Sequence, residues 1–535
     1  MIVVRDATAR DVEAIRDVFQ ATYGRDYPYR QFYDLDALTR LVYNDHQLLL
    51  VAEDVNTHRV VGTASVVLEV GALSDLVAEF GRLAVLPSAQ GIGLGRMLMN
   101  ERLHRVRDRV HVALVEARLA RSHSLRIAET SGFVPVGLLP LTMQMGEREN
   151  FCLLAQHFGE ALSLRRNHPH VIPEVYPLAQ VALAHCSLPG DTIVDDSSPA
   201  YPEAQDLVLR EFTTEGYATL LRIERGRVRH REIFGPLQLH HGLFKLRAEQ
   251  SQYLLALDRD RIVGAIGWSQ NPVDPMLRVF ELIALDDGVA RFLLAGLERT
   301  RREQGRISSI EVDVSAYAPR MQRTLLELGF LPSAYIPAMV FSEVERLDIV
   351  RMVKLYVPPE FSATTASDRV RAIADVVLPP FFSRHVLPDI ERAVSELPLF
   401  CGLDRDQVRR LSSVCRTREF AEGEPIIEEG GLDRTLYILL DGEATISRAA
   451  ISQVVGVVRA GECLGEMSLL TGQPHSASAC ATRTTKTATL THDELTALVR
   501  FRPDIGLIMF HNLAIGLGAK LGRAPVVGLA ASKPE

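Results

Sequence analysis

The chain repeats itself, and that constrains its fold more than any other feature, because a repeat decides the architecture before single elements do. Gln252-Tyr-Leu-Leu-Ala256 followed by Ile262-Val-Gly-Ala265 echoes Gln47-Leu-Leu-Leu-Val51 followed by Val60-Val-Gly-Thr63. Phe280 and Ala284 stand 200 residues after Phe80 and Ala84. Gly329-Phe330-Leu-Pro332 with Pro337 stands 197 residues after Gly132-Phe133-Val-Pro135 with Pro140. The offset shrinks at one place. After Val85 the first copy reads Leu86-Pro87-Ser-Ala-Gln90-Gly91-Ile92-Gly93-Leu94-Gly95-Arg96, whereas after Ala284 the second reads Leu285-Asp286-Asp287-Gly288-Val289-Ala290 and enters a helix directly. The second copy is expected to keep the fold and to lose the glycine loop.

Within the first copy, β-branched Met1 to Val4 reads as a strand, and Thr8 to Asp11 as a capping-box variant opening a helix with Val12, Ile15, Val18 and Phe19 on one face. Leu48 to Ala52 and Val60 to Leu68 read as a hairpin pair joined by a polar turn. Glu79 to Val85 is a further strand, leading through the glycine loop into a helix from Arg96 to Arg107. His111 to Glu116 is the next strand, and a helix from Ser124 to Ser131 ends at Gly132. The second copy offers Glu281 and Tyr317 as groups for a cleft shared between the copies, with core or surface roles as the alternative.

A length of 535 residues exceeds what one core supports, since cores stop growing near ~250–300 residues. Two to four domains are expected. From Tyr356 to Leu397 runs a helical, proline-punctuated connector, with Pro358-Pro359, Pro379-Pro380, Pro388 and a Ser/Thr run from Ser362 to Ser367. From Phe400 short strands alternate with Gly423, Gly430, Gly442, Gly461, Gly465 and Gly472, a spacing that suggests a small β-barrel or jelly roll. Helices from Thr491 to Phe501 and Ile505 to Leu521 close this part.

With 47% hydrophobic and 24% charged residues the chain is an ordinary globular one, and a net charge of −8 argues against a broad nucleic-acid-binding surface. Cys152, Cys186, Cys401, Cys415, Cys463 and Cys480 form no CxxC pair, so neither a zinc site nor a disulfide framework is expected, and buried free thiols are. The start MIVVRDATARD is no signal peptide, and no apolar run is long enough to span a bilayer. No membrane partner and a cytoplasmic location are therefore expected.

The glycine loop carries the chemistry. A pyrophosphate concentrates negative charge, and backbone N–H groups at a helix N-terminus bind it where no Cβ blocks their approach. Glycines 91, 93 and 95 remove those atoms ahead of the Arg96 helix. A tight turn is the alternative, and a dinucleotide fold is disfavoured because several strands precede these glycines.

Gln90, Gly93 and Gly95 after the strand ending at Val85, with Gly132-Phe133 further on, resemble the GNAT superfamily of acetyl-CoA-dependent N-acyltransferases, over about residues 1 to 150. The resemblance implies acetyl-CoA as co-substrate. Its pyrophosphate would lie on Gln90, Gly91, Ile92, Gly93, Leu94, Gly95 and Arg96, and its pantetheine along the main chain of Leu83, Ala84 and Val85. It implies Glu79 as general base for an amine acceptor, protein or small molecule; an exposed strand-edge glutamate is the alternative reading. Many members carry a tyrosine where this chain has Ala128, so Ser122, His123 or Ser124 would have to assist the leaving thiolate.

Gly461-Glu-Cys-Leu-Gly465-Glu466-Met467-Ser468-Leu-Leu470 followed by Pro474-His475-Ser476 resembles the phosphate cassette of cyclic nucleotide-binding domains, over about residues 398 to 520. The resemblance implies cAMP or cGMP as effector, with Gly465, Glu466, Met467, Ser468, His475 and Ser476 in contact and Glu466 on the ribose. His475 stands at the family's arginine position. Losing that charge-assisted bond costs about 1.5–3 kcal/mol, so weakened nucleotide binding or a structural barrel are both open.

The expected fold is therefore α/β (α+β): tandem GNAT folds followed by a β-barrel or jelly-roll cyclic nucleotide-binding-like domain with a C-terminal helix. The divisions are 1–155 for the acetyltransferase domain, 156–355 for a linker and degenerate second copy, 356–397 for the connector, 398–522 for the nucleotide-binding-like domain and 523–535 for a tail. No helix-turn-helix follows, so direct DNA binding is not expected. No metal is expected. A non-catalytic coenzyme A sensor or scaffold is the alternative function.

Overall fold

The computed structural model describes residues 1–68, 75–120, 122–145, 147–204, 206–212, 231–235, 251–270, 275–304, 307–356, 367–383, 398–404, 407–408, 411, 415–448 and 453–523. Pro358, Pro359, Ser362, Pro388 and the tail lie outside them. The chain forms two compact units, Met1–Val377 and Leu378–Glu535.

In the first unit, strands β1 (Ile2–Asp6), β2 (Gln47–Asp54), β3 (Arg59–Val67), β4 (Val77–Val85), β5 (Val112–Arg118), β6 (Val134–Met145) and β7 (Glu147–His157) belong to the first copy. Its helices are α1 (Val12–Tyr23), α2 (Leu35–Val42), α3 (Leu94–Val106) and α4 (Ser122–Thr130). A short parallel pair follows, β8 (His170–Val171) with β9 (Ile193–Val194), around α5 (Tyr176–His185). The second copy comprises β10 (Leu207–Glu211), β11 (Ile233–Phe234), β12 (Ser251–Asp258), β13 (Arg261–Gln270), β14 (Met276–Ala284), β15 (Ser309–Ser315), β16 (Leu331–Ser342) and β17 (Glu345–Leu355). Its helices are α6 (Asp287–Gln304) and α7 (Pro319–Glu327), and α8 (Asp368–Ser383) follows.

These strands make one sheet whose order reads the same from either end: β1-β2-β3-β4-β5-β7-β6, then β16-β17-β15-β14-β13-β12-β10. The repeat extends to local devices. Leu141 and Ala338 both hold a left-handed backbone, φ 51° and 50°. Asn150 accepts the Leu141 N–H and Asp348 the Ala338 N–H, each at 2.9 Å. Arg148 donates to the Leu141 carbonyl at 3.0 Å and Arg346 to the Ala338 carbonyl at 2.6 Å. The copies join where Gly137 faces Ala334, and a Cβ on Gly137 would lie 2.1 Å from that of Ala334.

The amphipathic reading of the first helix holds: Val12, Ile15, Val18 and Phe19 are buried, each contributing roughly 1.5–3 kcal/mol. The Thr8–Asp11 capping box is present, and Asp11 also takes both terminal nitrogens of Arg5 at 2.8 Å.

The second unit contains two four-stranded sheets. One pairs β18 (Arg416–Phe420), β25 (Thr485–Thr491), β20 (Thr435–Asp441) and β23 (Cys463–Leu464). The other pairs β19 (Pro425–Ile427), β24 (Ser478–Ala481), β21 (Glu443–Arg448) and β22 (Gln453–Arg459). This is a jelly roll and not a closed barrel. Strand alternation fills two cores at once: Leu436 and Ile438 turn toward one, Tyr437 and Leu439 toward the other. Helix α9 (Glu466–Thr471) caps a turn, and α10 (His492–Phe501) opens on a Thr491–Glu494 capping box before α11 (Pro503–Arg523). All six predicted turn glycines have positive φ. The cysteines are free, but only Cys152 and Cys415 are buried; Cys401, in a turn, is exposed.

Candidate functional site

Strands β4 and β5 run parallel only from Val77–Val112 to Phe80–Val115. Beyond that they part. The cause is local to β4, where Arg82 takes φ 54° in a bulge that places an extra residue opposite β3. Fully buried Arg102 braces the bulge, donating to the carbonyls of Ser65 (3.0 Å) and Gly81 (3.1 Å) with its guanidinium 5.3 Å from the Phe80 ring. The β5-facing edge of β4 past Phe80 has no strand partner among the described residues.

Leu83 and Val85 are half-buried and Ala84 is buried. Tyr23 donates to the Leu83 carbonyl at 3.0 Å, and Thr22 and Gln90 to that of Val85 at 3.2 Å. Gln90 thus ties the loop to the end of the strand. Gly91 and Gly93 stand at φ 84° and 88°, each with open space where a Cβ would be. Helix α3 begins at Leu94, two residues before the expected Arg96, and its first N–H bonds come from Arg96 and Met97 onto the Gly93 carbonyl. The N–H groups of its first turn point outward with the positive end of the helix.

Gly95 needs a different account from the one its spacing suggested. A Cβ there would lie 2.6 Å from Ile127 Cδ1, so this glycine seats α3 against α4 and does not clear space for a ligand. Two substitutions separate these roles. Gly93→Val is expected to weaken acetyl-CoA binding tenfold or more, alongside a stability loss of about 1–3 kcal/mol from its left-handed position. Gly95→Val is expected to lower stability by about 1–3 kcal/mol through overpacking. Calorimetric titration and thermal unfolding of both variants check this.

Glu79 lies in register with Leu114, and Glu116 is two residues further along β5, so both carboxylates face the same side. Glu79 is paired with Arg82 at 3.0 Å, and Arg82 lies over the Tyr29 ring at 5.3 Å. Burial, with help from the Glu79 charge, pushes the Tyr29 hydroxyl up and keeps it neutral. Among the described residues Glu116 has no such close partner: Arg351 Nη1, from β17 of the second copy, stands 4.0 Å away. Burial and then the Glu79 charge push the Glu116 carboxyl up to about 7, with Arg351 pulling the other way. The residue reading overlooked Glu116. Its signal was a single carboxylate breaking the apolar run Val112 to Val115.

In the nucleotide-cassette region, Gly465 opens α9 at φ 84°, and a Cβ would meet the Thr435 carbonyl oxygen at 2.2 Å. Glu466 and Ser468 are buried, Ser468 donating to the Asp433 carbonyl at 3.0 Å, while Met467 and Ser476 are exposed. His475 is turned inward: its Nε2 lies 2.9 Å from Asp433 Oδ1, with 4% of the side chain exposed. Asp433, which also accepts from Tyr437 at 3.2 Å, went unnoticed in the sequence because nothing in its spacing marks it.

Residues 12–133 match the family model "Acetyltransferase (GNAT) family", and residues 417–500 match "Cyclic nucleotide-binding domain". The chain carries a GNAT domain and a cyclic nucleotide-binding domain. Among similar curated proteins are a cyclic AMP receptor protein of Thermus thermophilus, 33% identical over 130 residues, and a cAMP-dependent protein kinase regulatory subunit of Hypocrea atroviridis, 34% identical over 100 residues. The alignments cover 24% and 19% of this chain, and span only 58% and 21% of those relatives. Among solved structures, a ribosomal-protein-alanine N-acetyltransferase from Brucella melitensis is 23% identical, over 29% of this chain and 99% of that one, with a TM-score of 0.26.

In the GNAT domain Ala128 is buried and its carbonyl accepts the Phe133 N–H at 3.1 Å, which makes it a helix-end packing residue. Ser124 is half-buried and His123 exposed. The second copy parts its strands at the matching place, after Val279–Val312, but fills the gap itself. There β11 pairs with Asp313 and Val314 of β15, Arg231 donates to the Phe280 carbonyl at 3.2 Å, and a Cβ on Gly235 would lie 2.2 Å from Phe280 Cβ. Glu281 and Tyr317 do not serve a shared cleft: Tyr253 donates to buried Glu281 at 2.6 Å, and the Tyr317 hydroxyl donates to the Arg166 carbonyl. Among the described residues no helix is long and apolar enough to cross a membrane.

Proposed function

We propose that the chain is an acetyl-CoA-dependent N-acyltransferase with one working site, in the first copy. The observation that supports it best is the parted β4–β5 pair, with the open glycine loop at one end and the Glu116 carboxyl at the other. The outward N–H groups of Gly91 to Gly95 and the head of α3 would take the pyrophosphate, and the unpaired edge of β4 the pantetheine arm. Glu116 would take the proton from the acceptor amine, directly or through one water, as nitrogen attacks the thioester carbon. The C–N bond forms, the C–S bond breaks, and the thiolate leaves with a pKa near 8.5 that needs little acid help. Glu79, tied to Arg82, sets the charge around Glu116 in this reading.

Because β11 occupies the matching gap of the second copy, acetyl-CoA is expected to titrate at one molecule per chain and to release thiol in the presence of an acceptor amine. Two molecules per chain would overturn the single-site reading. Binding without turnover across protein lysines and small amines would instead favour a coenzyme A sensor, the reading to which Ala128 lends weight.

For the second unit we propose cAMP or cGMP as a weak effector. His475 is committed to Asp433, whose carboxylate opposes an incoming phosphate, so both residues have to change to restore an anion site. Asp433→Ser with His475→Arg is expected to bind cAMP ten- to a hundredfold more tightly than the native chain, about 1.5–3 kcal/mol. His475→Arg alone is expected to gain less, because Asp433 would capture the new guanidinium. Calorimetry on the three chains checks the order, and a double variant no tighter than native would sink this account.

A further inference from the structure

The second copy has no glycine loop and its own gap is filled, yet it places a charge at the site of the first. We infer that Arg351 of the second copy is a positioning residue that sets the protonation of the Glu116 carboxyl, so that the acyltransfer site is completed by both copies. This rests on Glu116 being the base proposed above. Arg351 is held for the task. Its side chain is 2% exposed, Nε and Nη2 donate to the two oxygens of Asp313 at 2.7 and 3.0 Å, and Nη1 is left toward Glu116 Oε1 at 4.0 Å. Asp313 is itself fixed by Arg278 at 2.9 Å. Burial works against the Asp313 charge, but the two guanidinia outweigh it and hold that carboxyl down at about 2, so Arg351 has a permanent anchor.

The charged and titratable groups around Glu116 come from both copies: Glu79 and Arg82 of β4, Tyr29 before α2, Arg351 of β17, Glu311 and Asp313 of β15, and Arg278 of β14. Glu79 and Glu311 raise the cost of ionising Glu116, while Arg351 and Arg278 lower it. Arg351 is the second copy's cation in ion-pair range of Glu116, at 4.0 Å, and its removal touches neither the loop nor β4. A guanidinium within about 4–6 Å shifts a carboxyl by roughly one to three pH units.

The experiment titrates Glu116 in full-length chain labelled with 13C at the glutamate carboxyl, its resonance assigned as the one missing from Glu116→Gln. Arg351→Met is expected to move that midpoint upward by about one unit or more, and Arg351→Lys to restore most of the shift. The acid limb of thiol release from acetyl-CoA should move the same way. Should Arg351→Met not fold because Asp313 is left in excess, Arg351→Met with Asp313→Asn removes both members of the buried pair, and its Glu116 midpoint decides. A folded variant whose midpoint stays at the native value overturns the inference. If instead the midpoint moves but Glu116→Gln keeps full thiol release, the assignment of the base fails and the coupling of the copies stands.

Discussion

Replacing Glu116 by Gln is expected to lower thiol release from acetyl-CoA by about 10²–10⁴-fold while leaving acetyl-CoA affinity within about twofold of native. The amide keeps the size of the side chain and removes the proton acceptor, and Glu116 lies outside the glycine loop. The pH dependence carries a sign. A base has to be ionised to work, and this carboxyl is pushed up to about 7, so kcat/KM should fall as pH drops through about 7 and level off above it. That limb should disappear in Glu116→Gln. In Glu79→Gln it should move to lower pH, because removing the neighbouring negative charge, and freeing Arg82 from it, makes Glu116 easier to ionise. A limb that persists unchanged in Glu116→Gln assigns the base elsewhere, with Glu79 next in line.

The largest loss of stability is expected from Asp348→Ala, about 3–5 kcal/mol. Asp348 is fully buried. It accepts from Arg165 Nε and Nη2 at 2.9 and 2.7 Å, from the Tyr335 hydroxyl at 2.6 Å and from the Ala338 N–H at 2.9 Å. Deletion leaves buried Arg165 with Asp191 alone, at 3.0 Å, and leaves the left-handed residue Ala338 without its acceptor. Denaturant unfolding of the first unit's signal in the full chain, native against variant, measures it. A difference under about 1 kcal/mol would mean that Asp191 suffices for Arg165 and that the network is dispensable. Asn150→Ala, at the matching place in the first copy, removes an acceptor for a single N–H at 2.9 Å and should cost less, about 1 kcal/mol.

Much of the fold was readable along the chain, because its signals are local. The alternation of Leu436 to Leu439, the apolar face of Val12 to Phe19 and the capping boxes at Thr8 and Thr491 depend on neighbours within a turn or two. The offset of about 200 residues is consistent with a sheet whose strand order reads the same from either end. Gly95 was misread because its reason is a side chain on another helix, Ile127, and spacing cannot report that. His475 was recognised as a departure, but its capture by Asp433, 42 residues earlier, was not visible.

The sequence by itself pointed to the internal repeat, to the loss of the glycine loop from its second half, and to the GNAT and cyclic nucleotide-binding domains. Each follows from residue type, period or motif. Only the tertiary structure showed which charges surround each carboxylate, since these are brought together across the chain: Arg82 pairs with Glu79, while Glu116 meets Arg351, 235 residues further on. Only the tertiary structure, likewise, showed β11 lying in the second copy's gap. Protonation and access are set by what surrounds a group in space, and no order of residues along the chain states it.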